Sequence, residues 1–423
     1  VIGSQLVDGL ARRDVLRGAA AGGALAALPG AVFAGQGGAA APSFPPIAPI
    51  GRAEREARLA RMQAELRRRN IGALLVEAGS TLVYFTGIDW WRSERTTAAV
   101  IPADGPVLIV TPFFEEPSIR EMLDVPGEVR VWQEDESPFA LIAGWLKEKK
   151  LDTGTLAVEE TTRFFISDGV RRLLPSVKTV SGAGVVNALR MIKSPTEIAL
   201  LQRANDIMIA AYRATHGQVR AGMTGNDINA IMERELTRFG GQRASSSAQV
   251  GPGSALPHGS KERLKLTEGT VVLMDCTCST HGYVSDISRT FVFGEPTAEQ
   301  RRVFGHMRQG MNVAMDAAKV GAPAGSVDDA VRAYYETLGY GPRYALPGLS
   351  HRTGHGIGLD VHEPVNLVHG ETTPLAAGMC FSNEPGIYLP GKFGIRIEDC
   401  FYMTEQGPRF FTQPPSSLDK PFG

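Results

Sequence analysis

The sequence predicts an α+β chain in two parts, a small α/β domain followed by a larger domain whose helices are segregated from hairpin-connected strands. Three observations predict it. The chain has 423 residues, more than one simple core holds. Short apolar runs at 73–76, 97–101 and 107–110 alternate with helical stretches near 114–123 and 138–149, the pattern of an α/β layer. Beyond residue 188, well-capped helices are separated by strand-like runs joined by turns, the pattern of an α+β layer.

The elements follow in order. Residues 52–69 carry apolar side chains at helical spacing among arginines and predict an amphipathic surface helix. The first domain is expected over 51–187 and the second over 188–423. The second opens at Ser194-Pro195-Thr196-Glu197, where Ser is an N-cap, Pro takes the first helical position and Glu sits at N3. That helix is expected to run to about Ala214. Thr224 with Asp227 starts another, closed by Gly240, and Thr297 with Gln300 and Ser326 with Asp329 start two more. Strands are expected at 270–275, 284–293, 379–384 and 394–403.

Composition narrows the partners. Hydrophobic residues make up 43% of the chain, enough for sizeable cores. The formal charge of −1 argues against nucleic acid as a bulk electrostatic partner, because such proteins present a basic surface. Four cysteines (Cys276, Cys278, Cys380, Cys400) are too few for a disulfide scaffold. They read first as small buried hydrophobes, with thiolate ligation or a Cys380–Cys400 bridge as alternatives.

The N-terminal segment reads as an address. Arg12-Arg13 precedes a small, apolar, Ala/Gly-rich run from Ala19 to Ala34, so residues 1–34 are expected to be an export signal and 35–50 a linker. The paired arginines resemble a twin-arginine signal, departing from it in Ala11 before the pair and in Val15 where Phe is common. The expected location is the periplasm or another exported site, or the cytoplasm if the signal is not used. No apolar run reaches the ~20 residues of a membrane span.

The chemistry lies in the second domain. The run 271–274 is a buried-strand sequence ending in Asp275, His281-Gly282 supplies a turn, and the return strand carries Asp286. Two aspartates on one hairpin repel unless a cation lies between them. Next come His351, His355 and His362, three of the chain's eight histidines, with Gly354, Gly356 and Gly358 permitting close backbone approach. His362-Glu363 does not begin a single-zinc HExxH helix, because residue 366 is Asn. Glu384 then ends an apolar strand before Pro385-Gly386, and Glu398 lies in another, where Arg396 shares its parity and could pair with it. Asp275, Asp286, Glu384 and Glu398 contribute a formal −4 and neutral His355 adds nothing, so two divalent cations balance the cluster. Oxygen donors with one nitrogen suit manganese and also iron, cobalt or zinc, and ligand types alone do not choose; manganese is the expected ion. A pair of ions about 3.5–4 Å apart can share one water and lower its pKa towards neutrality.

In order and spacing these motifs resemble the pita-bread metallopeptidases: prolidase (Xaa-Pro dipeptidase), aminopeptidase P and, more distantly, methionine aminopeptidase. The likeness spans about 52–410 through KSPTEIALL at 193, the Asp275–Asp286 hairpin ending SRTF, HRTGHGIGLDVHE, NEPGIY and GIRIED. It departs at Thr277, where the family usually has Gly. The resemblance implies a pita-bread catalytic domain behind a smaller creatinase-like α/β domain, and hydrolysis of Xaa-Pro bonds in dipeptides or longer peptides. Asp275 would chelate one metal, Asp286 and Glu398 would bridge both, and His355 and Glu384 would complete the other shell. Glu384 would double as general base, His362 would stabilise the tetrahedral intermediate or shuttle a proton, and His258 would contact substrate. His351, Arg352 and Arg396 are further candidate substrate neighbours. In relatives a partner subunit's N-terminal domain can border the site, which makes Trp90 and Trp91 candidates there and implies a homodimer or higher homo-oligomer. The alternatives are a pita-bread lyase or hydrolase of a non-peptide small molecule, and a non-catalytic peptide-binding homologue.

Overall fold

The structure, a computed structural model, describes residues 44–422; the expected export signal and residues 35–43 of the expected linker lie outside the described residues. Residues 44–50 are irregular yet packed. Phe44 stands edge-on against Phe239, Ile50 is buried, and the Ile47 carbonyl pairs with His281 Nε2 at 3.1 Å. The side chains of Phe44, Ile47 and Ile50 gain more from packing against these cores than from solvent.

The first domain contains α1 (Arg52–Arg68), β1 (Ala73–Glu77), α2 (Ser80–Thr86), β2 (Ala98–Pro102), β3 (Val107–Pro112), α3 (Glu116–Met122), β4 (Gly127–Trp132), α4 (Pro138–Glu148), β5 (Gly154–Val158), α5 (Phe164–Leu173), β6 (Val177–Ser181) and α6 (Ala183–Arg190). Its six strands lie in the order β4-β3-β2-β1-β5-β6. β1, β2 and β3 pair antiparallel, whereas β3–β4, β1–β5 and β5–β6 are parallel. The expected boundary at 187/188 falls inside α6. β4 and β6 lie at the sheet edges and bury few side chains, so they carry little hydrophobic signal. α2 has the opposite defect: nearly every residue is buried, so no polar face marks a helical period.

The second domain continues with α7 (Pro195–His216), α8 (Gly225–Arg238), β7 (Gln242–Val250), β8 (Thr270–Thr280), β9 (Tyr283–Phe293), α9 (Ala298–Ala317), α10 (Gly325–Thr337), β10 (Gly354–Gly356), β11 (Glu363–Leu367), β12 (Cys380–Asn383), β13 (Ile387–Leu389), β14 (Phe393–Ile395), β15 (Asp399–Thr404) and β16 (Gly407–Phe410). The capping boxes expected at Ser194/Glu197, Thr224/Asp227 and Thr297/Gln300 all form. The one expected at Ser326/Asp329 does not. Ala324 is the N-cap of α10, the Ser326 hydroxyl donates to the Pro323 carbonyl, and Asp329 pairs with His369. The expected strand 394–403 is broken at 396–398, where the chain leaves the β13–β14 hairpin to join β12.

Two antiparallel sheets, β7-β8-β9 and β11-β10-β12-β15-β16, are each backed by a helix pair. Ile207, Met208 and Met232 of α7 and α8 pack with Met274 and Ile287 of the first sheet. Met307, Met311 and Val331 of α9 and α10 pack with Leu367, Phe381 and Phe401 of the second. A further core joins the two domains, from Met62 and Tyr84 through Leu200 and Tyr283 to Ile357 and Cys400. Beneath the sheets, Arg289 of β9 pairs with Asp399 of β15 at 2.7 Å, both wholly buried, and also donates to the Ser288 and Glu398 carbonyls at 3.0 and 2.9 Å. Breaking a buried pair leaves an uncompensated charge, so Asp399→Ala is expected to cost about 3–5 kcal/mol in urea unfolding of the chelated protein. A loss below about 1 kcal/mol, the scale of an exposed pair, contradicts this role.

Candidate metal centre

The β8–β9 hairpin turns at His281 and Gly282, both at positive φ (47° and 86°), as a two-residue turn of this hand requires. Its register sets Asp275 opposite Ser288 and Thr277 opposite Asp286. Directly opposed residues project to one face, so Asp275 and Asp286 share a face, and Thr277 stands at the position facing Asp286. His355 is central in β10. A Cβ on Gly354 would collide with the Ser382 carbonyl, so glycine there lets β10 lie close against β12. Glu384 follows β12 and its N–H donates to the Thr353 carbonyl at 2.9 Å; Glu398 precedes β15 and its N–H donates to the Ser288 carbonyl at 3.1 Å.

These elements bring all five expected ligands together. His355 Nε2 lies 3.5 Å from Glu384 Oε1, 3.7 Å from Asp286 Oδ2 and 3.9 Å from Glu398 Oε1. Three triads have ligand atoms within 4.8 Å of one another: Asp275, Asp286, Glu398; His355, Glu384, Glu398; and Asp286, His355, His362. Asp286, His355 and Glu398 each belong to two. By themselves Asp286, Glu384 and Glu398 resist ionisation. Burial, then Asp275 and Glu384, push the Asp286 carboxyl well above the usual range. Burial, then Asp286 and Glu384, do the same to Glu398, and burial takes Glu384 to about 7 against the pull of Arg396. Burial and then His362 hold His355 down at about 3, so its imidazole is neutral. Its Nδ1 meets the Gly356 carbonyl at 3.1 Å and must donate there, which leaves the Nε2 lone pair towards the carboxylates. Asp286 Oδ1 and Glu398 Oε1 are enclosed without a hydrogen-bond partner among the described residues. Unpartnered carboxylate oxygens, a free imidazole lone pair and a formal −4 make a donor set that fits two divalent cations.

The surrounding contacts differ from expectation. Arg396 does not pair directly with Glu398; its guanidinium reaches Asp275 Oδ2 at 2.6 Å, Tyr388 Oη at 2.9 Å and Ser288 Oγ at 3.0 Å. The Ser288 hydroxyl in turn donates to Glu398 Oε2 at 2.8 Å. Parity brought the two side chains to one side, but the break between β14 and β15 lets Ser288 stand between them. His351 meets Tyr388 Oη at 2.8 Å through Nε2 and lies 3.8 Å from Glu384 Oε2 through Nδ1. Arg352 donates to Asn366 at 2.9 Å, and His362 sets its ring edge-on to His355 with centroids 4.2 Å apart. His258 is exposed beside a cavity of about 410 Å³ also lined by Asn229 and Gln249. Trp90 and Trp91 stack at 4.4 Å in the first domain, between α2 and β2. All four cysteines are free and buried, and burial takes the Cys276, Cys278 and Cys380 thiols up to about 12. Ser382, not Cys380, stands opposite Cys400 in the β12–β15 ladder, so the alternatives of ligation and bridging both lapse.

Three supports escaped the sequence. Ser288 and Tyr388 lie inside recognised motifs, but their partners are remote in the chain. The third is the buried Asp328–Arg332 pair of α10, 2.7 Å apart. Asp328 accepts the Thr353 N–H and hydroxyl at 3.0 and 2.7 Å, while Arg332 donates to the Leu349 and His351 carbonyls at 3.0 and 2.6 Å. The pair therefore fixes the loop leading into His355. Its (i, i+4) spacing was visible; its burial was not.

Comparison with known proteins follows the same lines. The sequence profile of metallopeptidase family M24 matches residues 199–405, and that of the creatinase/prolidase N-terminal domain matches 58–192. An Xaa-Pro dipeptidase of Lactobacillus helveticus is 32% identical over 343 residues, 80% of this chain and 92% of its own length. The crystal structure of dipeptidase PepE from Mycobacterium ulcerans superposes with a TM-score of 0.79 at 30% identity, covering 87% of this chain and 98% of that one. The X-Pro aminopeptidase of Thermotoga maritima gives a TM-score of 0.75 at 28% identity, covering 85% and 98%. With a pita-bread domain carrying the clustered ligands behind a creatinase-type domain, the chain belongs to metallopeptidase family M24 and is a metallopeptidase.

Proposed function

We propose that this metallopeptidase hydrolyses the bond between an N-terminal residue and proline, in dipeptides or longer peptides, with two divalent cations and manganese as the foremost ion. The observation that carries the reading is the convergence of Asp275, Asp286, His355, Glu384 and Glu398, with two enclosed carboxylate oxygens lacking any other partner. The names of the Lactobacillus and Thermotoga relatives support the proline preference. Asp275 would hold one ion, Asp286 and Glu398 would serve both, and His355 and Glu384 would complete the other ion's shell; the grouping of Asp275, Asp286 and Glu398 apart from His355, Glu384 and Glu398 supports that division.

When bound, the ions supply Lewis-acid polarisation of the scissile carbonyl and acidify a water. Glu384 takes the proton of the attacking water as general base. His362, beside His355 and exposed to the cleft, stabilises the developing negative charge or passes a proton to the leaving proline nitrogen, which has no N–H of its own. His258, His351 and Arg352 line the substrate. Arg396, a further substrate neighbour, also orients Asp275 through its 2.6 Å contact with Oδ2. Trp91 (65% exposed), Phe113 (53%), Phe114 (58%) and Phe164 (77%) on the first domain support a homodimer or higher homo-oligomer. Export through the twin-arginine-type segment is part of the proposal and rests on residues 11–34 alone.

Three outcomes test this reading. Purified protein with manganese is expected to cleave Ala-Pro or Gly-Pro; product analysis on a longer Xaa-Pro peptide then separates a dipeptidase from an aminopeptidase. Failure on every proline substrate, with turnover of a small sulfonium compound instead, favours the lyase alternative. Asp286→Ala is expected to abolish turnover and lower bound metal from about two ions per chain to at most about one, while the chelated variant melts no lower than the chelated parent because a buried repulsion is gone. Retained activity, or an unchanged metal count, sinks the ligand assignment. The pH dependence follows from the raised carboxyls. Between the ordinary ~4.3 and the value of about 7 at Glu384, the unfolded chain has released a proton that the folded chain keeps, so stability falls as pH rises. Below about pH 6.5 the buried neutral His355 opposes this trend, so the comparison lies above it: chelated protein should melt higher near pH 6.5 than near pH 8, with manganese restoring the loss at about pH 8. Equal melting at both, unmoved by manganese, counts against a metal centre here.

A further inference from the structure

His362 makes no hydrogen bond to any described residue and is exposed, so its own contacts hardly fix its position. Its chain neighbours do. Glu363 is buried and accepts the Leu359 and Asp360 N–H groups at 2.9 and 3.2 Å through Oε1, so the segment 359–363 closes on that carboxylate. A Cβ on Gly358 would lie 2.7 Å from the same carboxylate, and the Gly358 carbonyl accepts the Val284 N–H at 2.8 Å, two residues before Asp286. The loop is therefore tied to the metal hairpin at its start.

Its far side is held by the other domain. Arg190, the last residue of α6, reaches Glu363 Oε1 at 2.5 Å and Asp360 Oδ2 at 2.8 Å through Nη2, and Thr81 Oγ1 at 3.0 Å through Nη1. The Ser80 hydroxyl donates to Asp360 Oδ1, and Lys193 Nζ meets Glu363 Oε2 at 2.9 Å. The Arg190 side chain is 11% exposed and that of Glu363 4%, so these pairs are little screened by solvent. One guanidinium from the creatinase-type domain thus grips the residues two before and one after His362.

We propose that Arg190 is a positioning residue for His362, through which the N-terminal domain sets the geometry of the catalytic loop in its own chain. The inference rests on His362 acting at the reacting centre. A misplacement of about 1 Å costs a catalytic group up to about 100-fold in rate. Arg190→Met is therefore expected to lower kcat on Ala-Pro about 10- to 100-fold with KM changed less than about threefold and metal content intact. Arg190→Lys should recover part of the loss. The discriminating measurement is a double-mutant cycle with His362→Ala: acting through His362, Arg190→Met should add little to the loss that His362→Ala already causes. Multiplying losses, or wild-type kcat in Arg190→Met, overturn the proposal. Should Arg190→Met fail to fold, Ser80→Ala and Asp360→Asn release the same loop and enter the same cycle. A crystal structure of the metal-loaded variant gives a readout without turnover: residues 358–363 displaced with the five ligands in place supports the inference, and an unmoved loop refutes it. If the wild-type enzyme cleaves no proline peptide, the functional reading falls, and the loop displacement still decides the role of Arg190.

Discussion

Four carboxylates and a neutral imidazole meet in a largely buried cleft, and the need to neutralise that charge organises what surrounds it. Isolated anions so placed cost several kcal/mol each. Arg396 offsets one of them directly, by facing Asp275 from an enclosed position. It reaches Glu398 through the Ser288 hydroxyl, and Glu398 Oε1 and Asp286 Oδ1 are left without a donor among the described residues. A second cation, Arg289, is spent on Asp399 rather than on the ligands. The protein thus supplies less positive charge than the cluster demands, and divalent ions complete it.

Holding such groups together requires a frame that does not relax. Each ligand comes from a strand or a strand end, and two buried ion pairs brace this frame: Arg289–Asp399 between β9 and β15, and Asp328–Arg332 of α10 beneath the approach to β10. Rigid backing of this kind is what keeps a site within tolerance for catalysis. The loop beyond β10 lacks regular structure, and its order comes from Glu363 folding 359–363 onto a carboxylate held by Arg190 and Lys193. Burial works to raise the Glu363 pKa, but the two cations outweigh it and hold the carboxyl at about 2, so the clamp stays charged across the working range.

The domains are correspondingly less separate than a linear reading of the chain suggests. One apolar core runs between them, and Arg58 of α1 bonds Tyr283 of the metal hairpin at 3.2 Å while Tyr283 donates to Glu197 of α7 at 2.9 Å. An interface with both a shared core and buried ion pairs resists hinge motion. The creatinase-type domain is therefore part of the framework behind the ligand cluster.

Much of this was legible in the linear chain, for reasons of local chemistry. Capping boxes at Ser194, Thr224 and Thr297 announce helix starts because the satisfying atoms lie three residues away; the Asp275–Asp286 hairpin and the Gly-flanked His355 announce ligands because charge and close approach are costly elsewhere. Where partners lie far apart in sequence, local pattern fails. β7 reads as polar and loop-like because it is an edge strand with a serine-rich face, and the partner of Arg396 depends on a chain crossing at 396–398 that no periodicity encodes. Residue types and spacing by themselves determined which side chains could bind metal, since coordination chemistry is a property of the side chain. Only the tertiary structure decided which cations balance which anions and what holds His362, because those energies depend on distance and burial, which the order of residues does not contain.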